Sequence, residues 1–449
     1  MRKSIARNFG YPLQDFIRRT SIIKTLDFLR ESQYWDEDRM EAYRIGKLRE
    51  LIEFSSRNVP YYERLFNRIK LRSTDIRSVN DLEKIPILTK EIARKENTNL
   101  IARNFDMRNV KKGKTGGTTG IPLLLLKDTR NRSITWASYY RWYEWMGAEY
   151  GDRTVTLWGT SSVLYQSMKV KLSKSFINFL QNHLEINAFQ MSGKNMPEIY
   201  DTLVQFQPVI LKGYLSALIK LADFVDTNKL DGLKPLLIST TSESLLPNHR
   251  AYLKKIFNAE IFDQYGSGEL SAISYECAQH SGLHINQEHI LLEVLDHNSK
   301  PILENAGRVV GTDLDNYVMP FIRYENGDVA TISTRKCTCG INQPLLSSFE
   351  GRTSETLILK DGSPVNGVFL TAFFYDLGIF VNKIERFQAV QSNPGEILLL
   401  LESKTSLDKV ILTNLEEKLE TFFSKIEIRT IDEIPYEKTG KFQYIKRIT

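Results

Sequence analysis

Thr115-Gly116-Gly117-Thr118-Thr119-Gly120-Ile121-Pro122 decides how the rest of the sequence is read. It places three glycines and three threonines in eight residues, between the basic Lys111, Lys112 and Lys114 and the apolar run Leu123 to Leu126. Glycine lets backbone N–H groups approach an anion closely, threonine adds hydroxyl donors, and the lysines add positive charge. These are the parts of a phosphate cradle. The terminal G-K-[ST] of a Walker A loop is missing. Read alone, the stretch equally suits a polar hairpin turn between two strands.

Working outward, 449 residues are too many for one core and predict two or three domains. Apolar content of 42% and charged content of 25% are those of an ordinary globular chain. The net charge of +6 is spread along the chain without a dense basic stripe, which argues against a nucleic-acid partner. No apolar run approaches the ~18 residues of a membrane span. Met1-Arg2-Lys3-Ser4 is followed by no apolar h-region, so no secretory signal is predicted. With three cysteines and no disulfide framework, the expected location is cytoplasmic.

In chain order, residues 1 to about 105 read as a helical entry, with Thr89 as N-cap of a helix from Lys90. Arg130 to Met146 is an aromatic-rich helix. Strands Thr154–Trp158, Val209–Leu211, Leu236–Ser239 and Glu260–Gln264 alternate with helices at Pro197–Phe206, Ser216–Asp226 and Pro247–Phe257. That alternation predicts an α/β fold with a parallel sheet, whose ligands gather at the strands' carboxyl ends. From about 283 to 350 the pattern changes to an antiparallel β-subdomain. A boundary near Gly351-Arg352-Thr353-Ser354 separates domain 1–353 from a small α+β domain, 354–449. It holds strands Gln388–Gln391, Ile397–Glu402 and Ile426–Arg429 and a helix Leu407–Phe423.

Four more segments carry chemistry. Tyr265-Gly266-Ser267-Gly268-Glu269 offers an aromatic face, close backbone approach, a hydroxyl and a carboxylate. Arg323-Tyr324-Glu325-Asn326-Gly327-Asp328 ends in a carboxylate able to take two ribose hydroxyls. Gly351-Arg352 supplies a planar cationic fork, and Pro435 to Lys441 ends in a lysine after a glycine turn. Taken singly, each is also an ordinary turn.

In this order, with the opening stretch, they resemble the adenylate-forming acyl ligases, and among them the phenylacetate–CoA ligase and CapK-like group of capsular polysaccharide biosynthesis. The segments "VPYYE" from Val59 and "IPILTK" from Ile85 are similar to that group as well. The resemblance implies a large N-terminal domain and a small mobile C-terminal lid. It implies that Thr115, Gly116, Gly117, Thr118, Thr119 and Gly120 hold phosphates, with Thr118 among the catalytic residues. Tyr265 would stack on adenine beside Gly266 and Ser267, and Glu269 would bind Mg²⁺. Ser242 and Glu243 would lie along the nucleotide, Asp328 and Arg352 would hold ribose or phosphate, and Lys441 would neutralise the transferring adenylyl group. The family's hydroxyl directly precedes the glutamate, where this chain has Gly268. The implied reaction takes ATP, Mg²⁺ and a small carboxylic acid to an acyl-adenylate and pyrophosphate, then passes the acyl group to coenzyme A. Trp158, Tyr214 and Thr240 are the expected substrate pocket.

Cys277-Ala278-Gln279-His280 and Cys337-Thr338-Cys339 give four soft or borderline ligands that suit structural Zn²⁺, with His284 and His289 ranked below His280 on spacing. Two other readings stay open: an amide-forming ligase using an amine acceptor, and a zinc-stabilised nucleotide-binding partner without ligase activity. A monomer or homodimer is expected.

Overall fold

A computed structural model describes residues 2–103, 105–114, 123–158, 175–191, 194–242, 245, 247–350, 356–362, 364–366, 370, 384, 386–403, 407, 409–434 and 445–447. Chain contacts divide the protein into two compact units, one mainly of residues before Gly351 and one mainly of residues from Arg352.

The first unit is built on two sheets. Strands β1 (Lys111–Lys114) and β2 (Leu124–Lys127) form a short pair of their own on either side of the Gly/Thr stretch. Strands β3 (Thr154–Trp158), β4 (His183–Asn187), β5 (Ile210–Tyr214), β6 (Leu237–Thr241) and β7 (Glu260–Phe262) form a parallel sheet in the order β4-β3-β5-β6-β7. Alternation along each strand divides its residues between two cores. Val155, Leu157, Leu211, Ile238 and Ile261 pack with the helices Met196–Phe206, Leu215–Thr227 and Pro247–Phe257. Ile210, Leu237 and Phe262 pack instead with Ile22–Ser32 and the aromatic helix Thr129–Trp145. The predicted crossover helices are present, within a residue of their expected starts. Thr89 caps its helix by accepting from the Ile92 N–H at 3.2 Å.

The chain changes sheets at Asp263, although the pattern predicts a single strand over Glu260–Gln264 and an antiparallel part only from about 283. In the structure, β7 ends at Phe262, and Gln264–Ser267 is already β8, the edge of an antiparallel sheet. That sheet continues through β9 (Ser271–Glu276), β10 (Leu283–Ile285), β11 (Ile290–Leu295), β12 (Gly307–Asp313), β13 (Tyr324–Ser333) and β14 (Leu345–Glu350), in the order β11-β12-β13-β14-β10-β9-β8. The switch is held by hydrogen bonds that a sequence does not display. Asp263 N–H donates to Glu276 Oε2 at 2.8 Å, while its carboxylate accepts from Thr240 Oγ1 and from Gln264 N–H, each at 2.9 Å. Burial pushes the Asp263 carboxyl up to about 7.

The second unit has strands β15 (Thr356–Ile358) and β16 (Pro364–Asn366) as a pair, and β17 (Arg386–Gln391), β18 (Glu396–Glu402), β19 (Lys425–Ile431) and β20 (Ile445–Arg447) in the order β19-β18-β17-β20. Phe387, Leu399 and Leu401 pack against Leu415 and Leu419 of helix Lys409–Leu419, and Phe423 joins that core. Among the described residues no helix is long and apolar enough to cross a membrane.

Arg141 ties the aromatic helix to both its neighbours. It donates to Glu288 Oε1 at 2.6 Å, to Asn286 Oδ1 at 2.7 Å and to Leu29 O at 3.1 Å, with both charged side chains almost fully buried. Replacing Arg141 with methionine strands the Glu288 carboxylate. The expected cost is about 3–5 kcal/mol, read from the midpoint of urea unfolding at unchanged slope; a loss under about 1 kcal/mol would show that Glu288 finds other compensation.

Candidate functional site

Three separated stretches meet around the β8–β9 turn. Gly266 sits at a bulge in this hairpin, where an added Cβ would stand 2.7 Å from Ser271 O, so the residue has to be glycine. Ser267 Oγ accepts from the Leu270 N–H at 3.0 Å and closes the turn. Glu269 follows on that turn, buried, and its Oε1 accepts from Tyr324 OH at 2.9 Å. Tyr265 OH donates to Asp328 Oδ2 at 2.8 Å across 63 residues of sequence. Asn326 Nδ2 reaches the same oxygen at 2.7 Å, and its Oδ1 accepts from the Asp328 N–H at 3.1 Å. Burial and the Asp328 charge hold the Tyr265 phenol proton far above its usual range. The pair Tyr265–Asp328 and the pair Tyr324–Glu269 therefore join two of the predicted motifs side by side.

The exit from the Gly/Thr stretch is anchored to the same turn. Lys127, at the end of β2, donates to Glu269 O at 2.6 Å and pairs with Asp313 Oδ2 at 3.2 Å. Leu126 O accepts from Asn316 Nδ2 at 2.9 Å, and Leu124 O from Asn97 Nδ2 at 3.2 Å. A Cβ on Gly268 would stand 3.0 Å from Leu125 Cδ1. Residues 115–120 themselves lie outside the described residues, as do Glu243, Arg352 and Lys441. Ser242 is described, with a left-handed φ of 69° at the carboxyl end of β6.

Arg323 has a structural task that its motif did not reveal. Also left-handed at φ 54°, it donates to Glu293 at 3.0–3.2 Å and to Ile85 O at 2.8 Å. Leu88 N–H donates to Arg323 O and Glu325 N–H to Leu88 O, so the "IPILTK" segment packs on this motif.

At the expected substrate pocket, the Trp158 and Tyr214 rings lie 4.7 Å apart. Thr240 does not join them. It is fully buried, and its hydroxyl is committed to Asp263. Strand alternation puts Ser239 and Thr241 on the Tyr214 face instead.

The cysteines converge, with one change of partner. Ligand atoms of Cys277, His284, Cys337 and Cys339 all lie within 4.8 Å of one another. Cys277 Sγ is 3.6 Å from Cys337 Sγ, and Cys339 Sγ is 3.3 Å from His284 Nε2. The expected fourth ligand, His280, points elsewhere: its Nδ1 lies 3.1 Å from Glu276 Oε1 and 3.2 Å from Arg250 Nη1. Cys277 directly follows β9, and β10 brings His284 back beside it by pairing with β9. His284 Nδ1 faces Gln343 O at 3.2 Å, which directs Nε2 toward the thiols. Burial brings His284 down to about 4, leaving a neutral imidazole at pH 7. Burial also pushes Cys277 up to about 12. Three thiols and one neutral imidazole with their ligand atoms within 4.8 Å of one another fit a closed Zn²⁺ site, and a bound cation would deprotonate the thiols.

Residues 357–448 match the CapK C-terminal domain family. Protein CapK of Staphylococcus aureus is 23% identical over 408 residues, 89% of this chain and 87% of that one. The chain is thus similar to CapK over most of its length, and its fold is that of the acyl-CoA ligases. A phenylacetate–coenzyme A ligase of Aromatoleum evansii is 23% identical over 343 residues, covering 72% and 73% of the two chains. One from Thermus thermophilus is 35% identical over 101 residues, 21% and 23%. The crystal structure of 2-hydroxyisobutyryl-CoA ligase in complex with 2-HIB-AMP and CoA superposes with a TM-score of 0.66 at 18% identity, over 93% and 92% of the chains.

The cysteine cluster is tested by metal analysis of protein purified without chelator. The wild type is expected to carry about one equivalent of zinc and the Cys339→Ser and His284→Ala variants under about a tenth of one. His280→Ala should keep it; the reverse order would return the ligand role to His280.

Proposed function

We propose that the chain activates a small carboxylic acid with ATP and then passes the acyl group to coenzyme A. The phenylacetate–CoA ligase relatives support an AMP-forming acid–CoA ligase over an amide-forming one. The observation that supports it most is the Tyr265–Asp328 hydrogen bond, which sets a buried aromatic against the carboxylate of the second motif beside Glu269. In this reading a carboxylate oxygen of the acid attacks the α-phosphorus of ATP, and pyrophosphate leaves with its bonding electron pair. The thiol sulfur of coenzyme A then attacks the acyl carbon, AMP leaves, and the thiol proton passes to solvent.

Backbone N–H groups of Gly116, Gly117 and Gly120 with the hydroxyls of Thr115, Thr118 and Thr119 hold phosphate oxygens. Asp328 accepts from the ribose hydroxyls, with Tyr265 orienting its carboxylate; Arg352 donates from its fork. Glu269 would hold Mg²⁺, which when bound offsets phosphate charge. Lys441 brings a cation to the α-phosphate and acid oxygens. Resemblance to the CapK-like group adds the proposal that the acid is used in surface-polysaccharide tailoring.

ATP–pyrophosphate exchange across a panel of carboxylic acids tests the reading. Lys441→Ala should lower the exchange rate by about 10² or more, and exchange at the wild-type rate would remove Lys441 from the mechanism. Asp328→Asn should raise KM for ATP with a smaller change in kcat, because it weakens ribose binding more than the bond exchange. AMP release that depends on coenzyme A, and not on amines, separates the thiol from the amine acceptor.

A further inference from the structure

The sheet face packed on helix Thr129–Trp145 is layered. Register places Thr154, Ile210 and Leu237 in one row and Thr156, Lys212 and Ser239 in the next. The Trp158–Tyr214 ring pair lies one row nearer the carboxyl edge, ~6.6 Å further along the strands. The first row is apolar core, yet the second carries an ammonium group. Lys212 is 6% exposed, and its Nζ stands 3.4 Å from the centroid of the Tyr139 ring. Among the described residues it forms no ion pair and no hydrogen bond. Beside it, Ser239 Oγ is buried without a hydrogen-bond partner. Burial brings the lysine down to about 7.

A buried cation with no counter-ion is costly, and a fold keeps one where something else supplies the charge. Its position just inside the carboxyl end of a parallel strand is where open α/β sheets bind their ligands. The ring of Tyr139 gives it partial compensation only. We propose that Lys212 closes the acyl pocket and pairs with a second carboxylate at the far end of the acid, so that the substrate is a small dicarboxylic acid. This rests on the ligase reading above and adds the class of acid to it. The donor set favours a monoanion: one ammonium and one hydroxyl match a carboxylate, whereas a phosphate dianion would leave a charge uncompensated. The reacting carboxylate then stays toward the carboxyl edge, past the Trp158–Tyr214 pair.

The test uses the full chain and pyrophosphate exchange with length-matched acids: succinate, glutarate and adipate against butyrate, valerate and hexanoate. Wild type should prefer the best diacid in kcat/KM by about 100-fold or more. Lys212→Met should remove that preference, mainly through KM for the diacid, while monoacids are handled as well or better, and Lys212→Arg should restore part of it. A wild type that prefers monoacids, or a preference for diacids that Lys212→Met leaves intact, overturns the inference while the ligase reading stands. Exchange with no acid would count against the ligase reading. The site is then decided by thermal melting with the same diacids: stabilisation of wild type but not of Lys212→Met sustains it, and no Lys212-dependent shift overturns it. Lys212→Met should itself melt at or above wild type. Because the folded-state value lies below the unfolded one, wild-type stability rises between about pH 7 and pH 10, so the variant's margin should narrow over that range. If Lys212→Met melts lower, Lys212→Gln is read in its place by the same criteria.

Discussion

Two buried carboxylates, Asp313 and Asp315, hold the first unit in its working arrangement. Asp315 pairs with Lys47 at 2.6 Å, with His289 Nδ1 at 3.1 Å and with Arg130 at 3.2 Å. Asp313 takes Lys127 at 3.2 Å and Asn131 Nδ2 at 2.7 Å. Burial alone would push Asp315 upward, but Lys47 and His289 hold its carboxyl well below the ordinary range. Charges so far from water persist only when their partners are all in place. The partners come from the long helix Glu37–Asn58, from β2, from the aromatic helix and from the antiparallel sheet. One local arrangement therefore seats the exit of the Gly/Thr stretch beside the turn that carries Glu269.

The two-sheet construction explains why this turn is a meeting point. At Asp263 the chain leaves a parallel sheet and enters an antiparallel one, so Tyr265 to Glu269 lie at the seam. The parallel sheet presents its carboxyl edge there, with Trp158 and Tyr214 on one face. The antiparallel sheet brings Tyr324, Asn326 and Asp328 from β13. The candidate site side chains are thus supplied by strands, which keeps their positions within hydrogen-bonding tolerance.

The cysteine cluster follows from the same antiparallel sheet. β9 and β10 pair with Leu283 opposite Glu276, which returns the chain to Cys277 and presents His284. β14 pairs with β10, and the turn before it carries Cys337 and Cys339. A closed four-ligand site here would pin the loops at one end of the sheet and leave the Tyr265–Asp328 pair untouched.

The sequence by itself determined the kind of fold and the order of its motifs. Strand and helix periodicity is local, so most of the alternation from Thr154 to Phe262 and the first three strands from Arg386 were legible to within about three residues, whereas β4 and β20 were not. The glycine positions were also legible: Gly266 is demanded by a carbonyl 2.7 Å away. Tertiary structure alone decided what depends on pairing between distant strands. It divided Glu260–Gln264 between two sheets, because Glu276 and Thr240, far off in the chain, hold Asp263 at the switch. It exchanged His280 for His284 as the cysteines' neighbour, because strand pairing and not spacing brings ligand atoms together. It assigned Thr240 to the scaffold and revealed the buried ammonium of Lys212, which has no ion-pair partner among the described residues, since which side of a sheet a residue faces, and what stands opposite it, is a property of the assembled layers.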